Sequence, residues 1–354
     1  MQAQQIEPLM LPLDTEAASA SNVGHWLGGA VYGRRAVVGP QLARRIGARA
    51  AAACAVVDMV PLAAANGFAE LWRVAGDEPV KQGRYGSQDE ITWSASESLL
   101  FAHLTLDERA FGDGVHCGLE PTAHAAYGRL FALLQHTGFE HPVRFWNYLP
   151  RINADEDGLE RYRHFNVGRQ VAFVEAGRGP DSAPPAACAL GCSGTAMTVM
   201  VLAGREAPTA IENPRQVSAY RYPPQYGPQP PTFSRAALYR SEEFALLAVS
   251  GTASIVGHET LHIGDVAAQV DESLRNVQAV VEAANRAAGR SLFTVDRLKL
   301  KAYVRNTADA ETVRRQLQLR LPATSVPLVR ADICRADLLF EIEAAGSAML
   351  ESST

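Results

Sequence analysis

The stretch EFALLAVSGTASIVGHETLHIGDVAAQVDESLRNVQAVVEAANRAAG, residues 243–289, changes its period part-way along. It begins as a run of small and branched apolar residues of strand length, crosses a loop containing Gly257 and Gly264, and then carries Val270, Leu274, Val277 and Val281 at helical spacing. The segment that follows, FTVDRLKLKAYVRN at 293–306, reads as a strand again. The same order occurs earlier: ITWSASESLLFAHLTL, then the glycine loop FGDGVHCG, then TAHAAYGRLFALLQHTG, then HPVRFWNYLPRI, all within 91–152. In that first helix Tyr127, Leu130, Leu133 and Leu134 form the apolar stripe, and Arg129 and Gln135 fall off it. Element order and apolar phase repeat, whereas residue identity does not. A helix laid across a mostly antiparallel sheet, twice over, predicts an α+β fold of two halves with a cleft between them.

Outward from these two units, Gly, Pro, Asp and Ser cluster in RGPDSAPPAA, which predicts a linker at 178–187. The division is then an N-terminal arm and leading segment at 1–56, a first half at 57–177 and a second half at 188–354 holding most of the candidate residues. The opening MQAQQIEPLMLPLDTEAASAS lacks a basic flank before its apolar patch, so it reads as a loose arm rather than a signal peptide. The uncharged AACALGCSGTAMTVMVLAG, 186–204, is broken by Gly, Ser and Thr and predicts two buried strands around a Gly-Ser turn, not a membrane span. The proline-dense YRYPPQYGPQPPTFSRA, 220–236, predicts a stiff extended loop.

Composition sets the class. The chain has 354 residues, 47% hydrophobic and 20% charged, which is ordinary globular usage with room for two or three domains. A net charge of −5 and no Lys/Arg run longer than a pair argue against a nucleic-acid or anionic-membrane surface. Five scattered cysteines do not make a disulfide framework, and a reducing cytoplasm fits them best. The usual cofactor signatures are missing: no phosphate loop, no G-x-G-x-x-G after a strand, no G-x-S-x-G elbow. His258 and His262 form the only close histidine pair, without the context of a metal site, and Cys188 and Cys192 read as packed thiols.

What remains is a set of arginines, tyrosines and late carboxylates. LERYRHFNVGR (159–169) carries Arg161, Arg163 and Arg169; ENPRQVSAYRYPPQYGPQPPTFSRA (212–236) carries Gln216, Tyr222, Tyr226 and Arg235. Arginine pairs two-toothed with carboxylates, so arginines on separate stiff segments suit a small dianion. Salt bridging is the plainer explanation of such residues, favoured for Arg161 and left open for Arg163. Near the end, SVPLVRADICRADLLFEIEAAG (325–346) alternates Leu338, Phe340 and Ile342 with Leu339, Glu341 and Glu343, which puts both glutamates on one strand face. By itself this reads as a wetted face, since glutamate is usually exposed. The other reading is a shielded acid beside Cys334.

FWNYLPRIN, ERYRHFNVGR, ENPRQVSAYRYP, YGPQPPTFSRA, SGTAS and ADICRADLLFEIEA carry a family resemblance. The second half resembles the RidA/YjgF fold, and the chain from about 57 to 345 resembles a chorismatase. The resemblance implies two RidA-like halves and cleavage of chorismate to pyruvate in the cleft between them, with no cofactor and no metal. It implies Glu341 as the acid, Cys334 as the active-site thiol, and Tyr222 and Arg235 on the substrate's carboxylate side, with Arg163 a further match. Gln216, Gly251 and Cys334 look like the branch that makes hydroxybenzoate, 3-hydroxybenzoate with or without the 4-isomer, rather than the branch that hydrolyses chorismate to a dihydrodiol acid. Gly251 would leave room for the ring and Gln216 would bond its hydroxyl.

One departure bears on imine deamination, the other chemistry of this fold: where those deaminases carry arginine in P-A-R-S, this chain reads PATS, with Thr324 in its place. The competing readings are therefore a chorismate-cleaving synthase, a chorismate hydrolase, an imine deaminase and a non-catalytic binder of aromatic acids. The implied partner is a small-molecule substrate, with no nucleic acid and no membrane. Two fused copies that supply both walls of a cleft predict a monomer.

Overall fold

The two apolar stripes read from the sequence are the buried faces of two long helices, Leu119–Thr137 and Val266–Ala288. In a computed structural model of the protein, which describes residues 5–13, 25–62, 67–75, 79–112, 116–179 and 182–350, each helix lies on a sheet. Tyr127, Leu130, Leu133 and Leu134 pack among Leu104, Phe145 and Val199, and Val270, Val277 and Val281 among Leu247, Leu300 and Ile342. Burying each such side chain contributes about 1.5–3 kcal/mol before ordering costs. The second helix starts where the Asp265 carboxylate accepts from the Ala268 amide at 3.0 Å, and it stops at Gly289, whose φ of 73° suits glycine. Both halves of the α+β plan are present.

The sheets share one topology. Across the first run the strands Ala186–Cys192, His141–Pro150, Ala196–Gly204, Leu99–Asp107, Ile91–Ala95 and Lys81–Tyr85. Across the second run Thr209–Ile211, Ala236–Arg240, Phe244–Ala253, Phe340–Met349, Lys299–Val304 and Leu328–Arg330, followed by Val60–Pro61. In each, the strand after the long helix has a parallel neighbour on one side and, on the other, an antiparallel last strand inserted beside the strand that precedes the helix.

Two boundaries differ from the sequence reading. The segment 178–187 is a loop at its start, but it runs into Ala186–Cys192, which pairs in parallel with His141–Pro150. Residues 188–204, expected in the second half, therefore complete the first sheet. Pro and Gly mark where a chain turns, not which sheet its next strand joins. The start is not a loose arm either: Gln5–Pro12 pairs residue for residue with Phe68–Ala75. With His25–Tyr32 and Cys54–Val57 these make a third sheet, ordered Gln5–Pro12, Phe68–Ala75, His25–Tyr32, Cys54–Val57, which reproduces the run Leu99–Asp107, Ala196–Gly204, His141–Pro150, Ala186–Cys192 of the first sheet and Phe244–Ala253, Phe340–Met349, Lys299–Val304, Leu328–Arg330 of the second.

The three sheets turn their inner faces to one core, to which the N-terminal sheet contributes Ile6 and Trp72, the six-stranded sheet Phe101 and Trp146, and the seven-stranded sheet Leu246 and Tyr303. At its centre three equivalent strands each carry a tyrosine at or within two residues of their ends. The Tyr148 hydroxyl lies 2.7 Å from that of Tyr32 and 3.1 Å from that of Tyr303. Opposite these tyrosines, in the inserted antiparallel strands, stand Phe68, Thr198 and Glu341. No helix among the described residues is long and apolar enough to cross a membrane.

Candidate active site

A cleft of about 550 Å³ opens between the six-stranded and seven-stranded sheets. All seven residues singled out in the sequence, Glu341, Cys334, Arg163, Gln216, Tyr222, Arg235 and Gly251, line it. They come from the start of the helix Arg161–Glu175, the proline-dense loop, the strand Phe244–Ala253 and the last strand with the turn before it. The proline-dense segment is a loop as predicted, tightened by two short 3-10 turns, Ala219–Arg221 and Pro224–Tyr226.

Glu341 is the second residue of the strand Phe340–Met349 and is only 3% exposed, so the wetted-face reading does not hold. Its carboxyl makes no hydrogen bond to any described residue and lines the cavity. Burial, then the charge of Glu343, push its pKa up to about 8, against a smaller opposing pull from Arg144. Glu343, on the same face, takes the opposite state. Arg144 and Lys301 lie against it and Tyr303 donates to it at 2.9 Å, which together hold its carboxyl well below the usual range despite burial. Two adjacent carboxyls thus differ in protonation because one is ion-paired with two cations and the other is buried in the cleft wall without an ion pair among the described residues.

Gly251 explains how the acid fits. A β-carbon there would lie 2.0 Å from Glu341 Oε1 and 3.1 Å from the Cys188 β-carbon. The room it leaves is thus taken by the carboxyl, rather than standing open for a substrate ring. The register of the strand shifts between Val249 and Thr252, and the Ser250 hydroxyl fixes that shift by donating to the Ser234 carbonyl at 2.6 Å.

Two guanidiniums line the same cleft without carboxylate partners among the described residues. Arg235, 4% exposed, donates from one terminal nitrogen to the Val217 carbonyl and the Tyr222 hydroxyl, both at 2.8 Å, and its Nε has no partner. Arg335, which the sequence reading did not single out, stacks 4.0 Å above the Tyr226 ring, donates to the His258 carbonyl at 2.8 Å and keeps one terminal nitrogen unpaired. Among the described residues neither is ion-paired. Nothing in RADICRADLL marks Arg335 as different from Arg330, which bonds Asp332 at the surface; only the position of Tyr226 does. Arg163 reaches the rim, one-third exposed and 3.5 Å from the Glu160 carboxylate. Arg161 is structural: it is buried and bonds both oxygens of Glu108, at 2.5 and 2.6 Å, and also Glu156. Arg169 is buried too, with its guanidinium among Tyr127, Phe165 and Phe173.

The remaining wall is neutral. Burial and the neighbouring Glu341 push the Cys334 thiol up to about 12, so it is present as the thiol. Tyr162, also missed in the sequence, has its phenol pushed up by burial and by Cys334 beside it. The Gln216 amide donates to the Ile255 carbonyl at 2.9 Å. Among the described residues no group of three or more His, Cys, Asp and Glu could hold a metal; His258 lies by Tyr226 and His262 by Glu272. The cleft can thus hold a small anion against two guanidiniums and present a protonated carboxyl to it.

Comparison with known proteins agrees with that chemistry. A protein named chorismatase from Streptomyces rapamycinicus is 40% identical over 286 residues, 78% of this chain and 81% of its own length. The chain belongs to the chorismatase family. The family described as chorismatase FkbO/Hyg5-like, N-terminal, matches residues 70–203, which hold Arg163 and almost the whole first sheet. A 3-hydroxybenzoate synthase of Streptomyces hygroscopicus is 35% identical over 291 residues, 79% of this chain and 81% of that protein. A chorismatase crystal structure at 1.08 Å resolution superposes with a TM-score of 0.81, at 29% identity, over 98% of this chain and 99% of that one. That overlap takes in the N-terminal sheet, so the three-sheet plan goes with the chorismatase fold.

Proposed function

We propose that this chain cleaves chorismate to pyruvate and a hydroxybenzoate, principally 3-hydroxybenzoate, with Glu341 as general acid. The observation that carries the reading is a carboxyl held protonated opposite guanidiniums that have no carboxylate of their own. Chorismate offers two carboxylates to Arg235 and Arg335, and Arg163 at the rim helps to draw it in. Its enol ether is inert until the terminal methylene takes a proton. With a pKa near 8, about nine-tenths of Glu341 carries that proton at pH 7, against about 0.3% at the ordinary value of 4.5. General acid catalysis of this kind contributes about 10²–10⁴-fold, and holding the dianion in register supplies much of the rest.

Protonation forms an oxocarbenium centre on the enolpyruvyl carbon. The neighbouring ring hydroxyl attacks the ring carbon that bears the ether as that C–O bond breaks, and its proton passes to the carboxylate just vacated, which returns it to the epoxide oxygen when the ring opens. Pyruvate leaves with the ether oxygen as its carbonyl, and the ring keeps a fused epoxide. Opening of the epoxide and loss of a ring proton complete the aromatic product, and that proton restores the acid. Substrate and products balance with no water. Hydrolysis, the alternative outcome, adds one water and leaves a dihydrodiol. Cys334, as a neutral thiol beside the acid, suits steering of the ring-opening step, and Gln216, in the wall of the same cleft, would bond the ring hydroxyl. Thr324, which replaces the deaminases' arginine, lines a separate cleft with Phe68 and Lys299, which speaks against imine chemistry in this one.

The experiment is incubation of chelator-treated protein with chorismate, with pyruvate followed by a coupled assay and the aromatic product by chromatography. Pyruvate and 3-hydroxybenzoate in equal amounts are expected. Pyruvate with a dihydrodiol would replace the synthase reading with the hydrolase, and absence of pyruvate would end both.

A further inference from the structure

Four charged side chains that touch no part of the cleft lie together in the shared core. Lys301, completely buried, sits 2.5 Å from Glu70 and 2.5 Å from Glu343. Arg144 pairs with the other oxygen of Glu343 and also donates to the Val249 carbonyl. Tyr32 donates to Glu70 at 3.2 Å and accepts from Lys301, and Tyr148 and Tyr303 complete the chain of hydroxyls. One sheet supplies Glu70 and Tyr32, the next Arg144 and Tyr148, and the last Lys301, Tyr303 and Glu343. The cluster carries two positive and two negative charges. Such a group adds little net stability over apolar side chains of the same volume. What it does do is fix the charge of Glu343.

We propose that Glu70, Lys301 and Arg144 act as positioning residues, holding Glu343 as a permanent anion behind Glu341 so that the N-terminal sheet takes part in the chemistry without meeting the substrate. The inference rests on the reading of Glu341 as the acid. Without both cations, Glu343 would itself take up a proton in so dry a place, and its neighbour would lose the charge that keeps it loaded. Without Glu70, Lys301 would bring an unbalanced positive charge toward Glu341. The groups that act on Glu341 are Glu343 on its own strand, Arg144 and Cys188 on the first sheet, Tyr303 across the ladder, Tyr162 on the helix and Cys334 in the turn. Of these only Glu343 and Arg144 are charged at neutral pH; Arg235 and Arg335 line the same cleft but are not among the groups that shift Glu341, so the balance of Glu343 and Arg144 with Lys301 and Glu70 sets the field.

The test is the pH dependence of kcat/KM for pyruvate release by the full chain. Glu70→Gln removes one negative charge far from substrate, and the alkaline limb should move down by about half a unit to one unit. The double variant E70Q/K301Q restores neutrality and should return the limb toward its wild-type place. Tyr32→Phe disturbs the same packing with every charge kept and should leave the limb unmoved. An active E70Q variant with a wild-type limb, or a Tyr32→Phe variant that moves it as far, would overturn the proposal. Should E70Q not fold, carbon-13 NMR of wild-type protein labelled at glutamate carboxyls decides: Glu343 is expected ionised throughout pH 5–8, and uptake of a proton there refutes the clamp. That titration needs no turnover, so it separates failure of the clamp from failure of the chorismate reading.

Discussion

Replacing Glu341 by glutamine should make the protein more stable and nearly inactive, because the same burial that arms the acid strains the fold. Its carboxyl has a pKa of about 8 when folded and 4.5 when the chain is open. The folded state therefore binds the proton more tightly, and this favours folding fully only below about pH 4.5. As pH rises from there to 8 the open chain ionises while the folded chain does not, and stability is lost. At pH 7 the loss is about 3 kcal/mol, from 1.36 kcal/mol per unit. Glutamine has the same shape and no such term, and since the carboxyl makes no hydrogen bond within the described structure, none is broken. Glu341→Gln should thus melt several degrees above wild type at pH 7, with the difference shrinking toward zero near pH 4. Turnover should fall about 10²–10⁴-fold, while binding of an unreactive dicarboxylate analogue, measured by calorimetry, stays within a few-fold. In wild type, activity should fall above pH 8 as the acid ionises. A variant equally stable at pH 4 and pH 7 relative to wild type, or one that still releases pyruvate at the wild-type rate, would refute the reasoning.

Three further outcomes follow from the cleft. Arg235→Lys keeps the charge but loses the planar fork, and should raise KM for chorismate about tenfold or more with a smaller change in kcat, read by initial rates. Gly251→Val places branched carbons where Glu341 Oε1 lies 2.0 Å from a β-carbon position; pyruvate release should fall at least about tenfold as the carboxyl is displaced. Cys334→Ala removes a thiol that is neutral at pH 7, so pyruvate release should persist while the ratio of aromatic products changes on chromatography.

How far the sequence could be read depended on how local each signal was. The two helical stripes lie within single elements, and the structure follows them; the alternation holds for Phe340 and Ile342 in the strand, whereas Leu338 lies just before it and packs in the shared core. The glutamates were ambiguous because what decides their states is distant in sequence: Arg144 reaches Glu343 across 199 residues. The N-terminal strand was hidden for the same reason. QIEPLMLP holds two prolines, which suits an edge strand, and among the described residues its one ladder partner begins at Phe68. Arg335 was missed because an arginine beside a candidate cysteine is unremarkable until its guanidinium is seen on Tyr226. The family motifs brought Arg163, Gln216, Tyr222, Arg235, Gly251, Cys334 and Glu341 together before any coordinates did, and the cleft contains all seven.

The three equivalent sheets also bear on why, among the described residues, only one sheet carries a carboxyl in the place of the proposed acid. Each brings a tyrosine to the centre and a residue opposite it at the start of the inserted strand: Phe68 opposite Tyr32, Thr198 opposite Tyr148, Glu341 opposite Tyr303. Phenylalanine has no proton to give, and the Thr198 hydroxyl is already 2.9 Å from that of Thr105. Two residues further along, the series reads Glu70, Met200 and Glu343, so only the last sheet sets an ionised carboxylate behind a carboxylic acid. A raised carboxyl pKa needs both a dry place and a negative neighbour that is itself held by cations. Glu70 has the cation, shared through Lys301, but Phe68 stands where its acid would be. Raising an acid at Phe68 by substitution would therefore also require a cleft lined by unpaired guanidiniums. The corresponding cleft, between Leu9, Phe68 and Thr324, has Lys299 as its one basic side chain among the described residues.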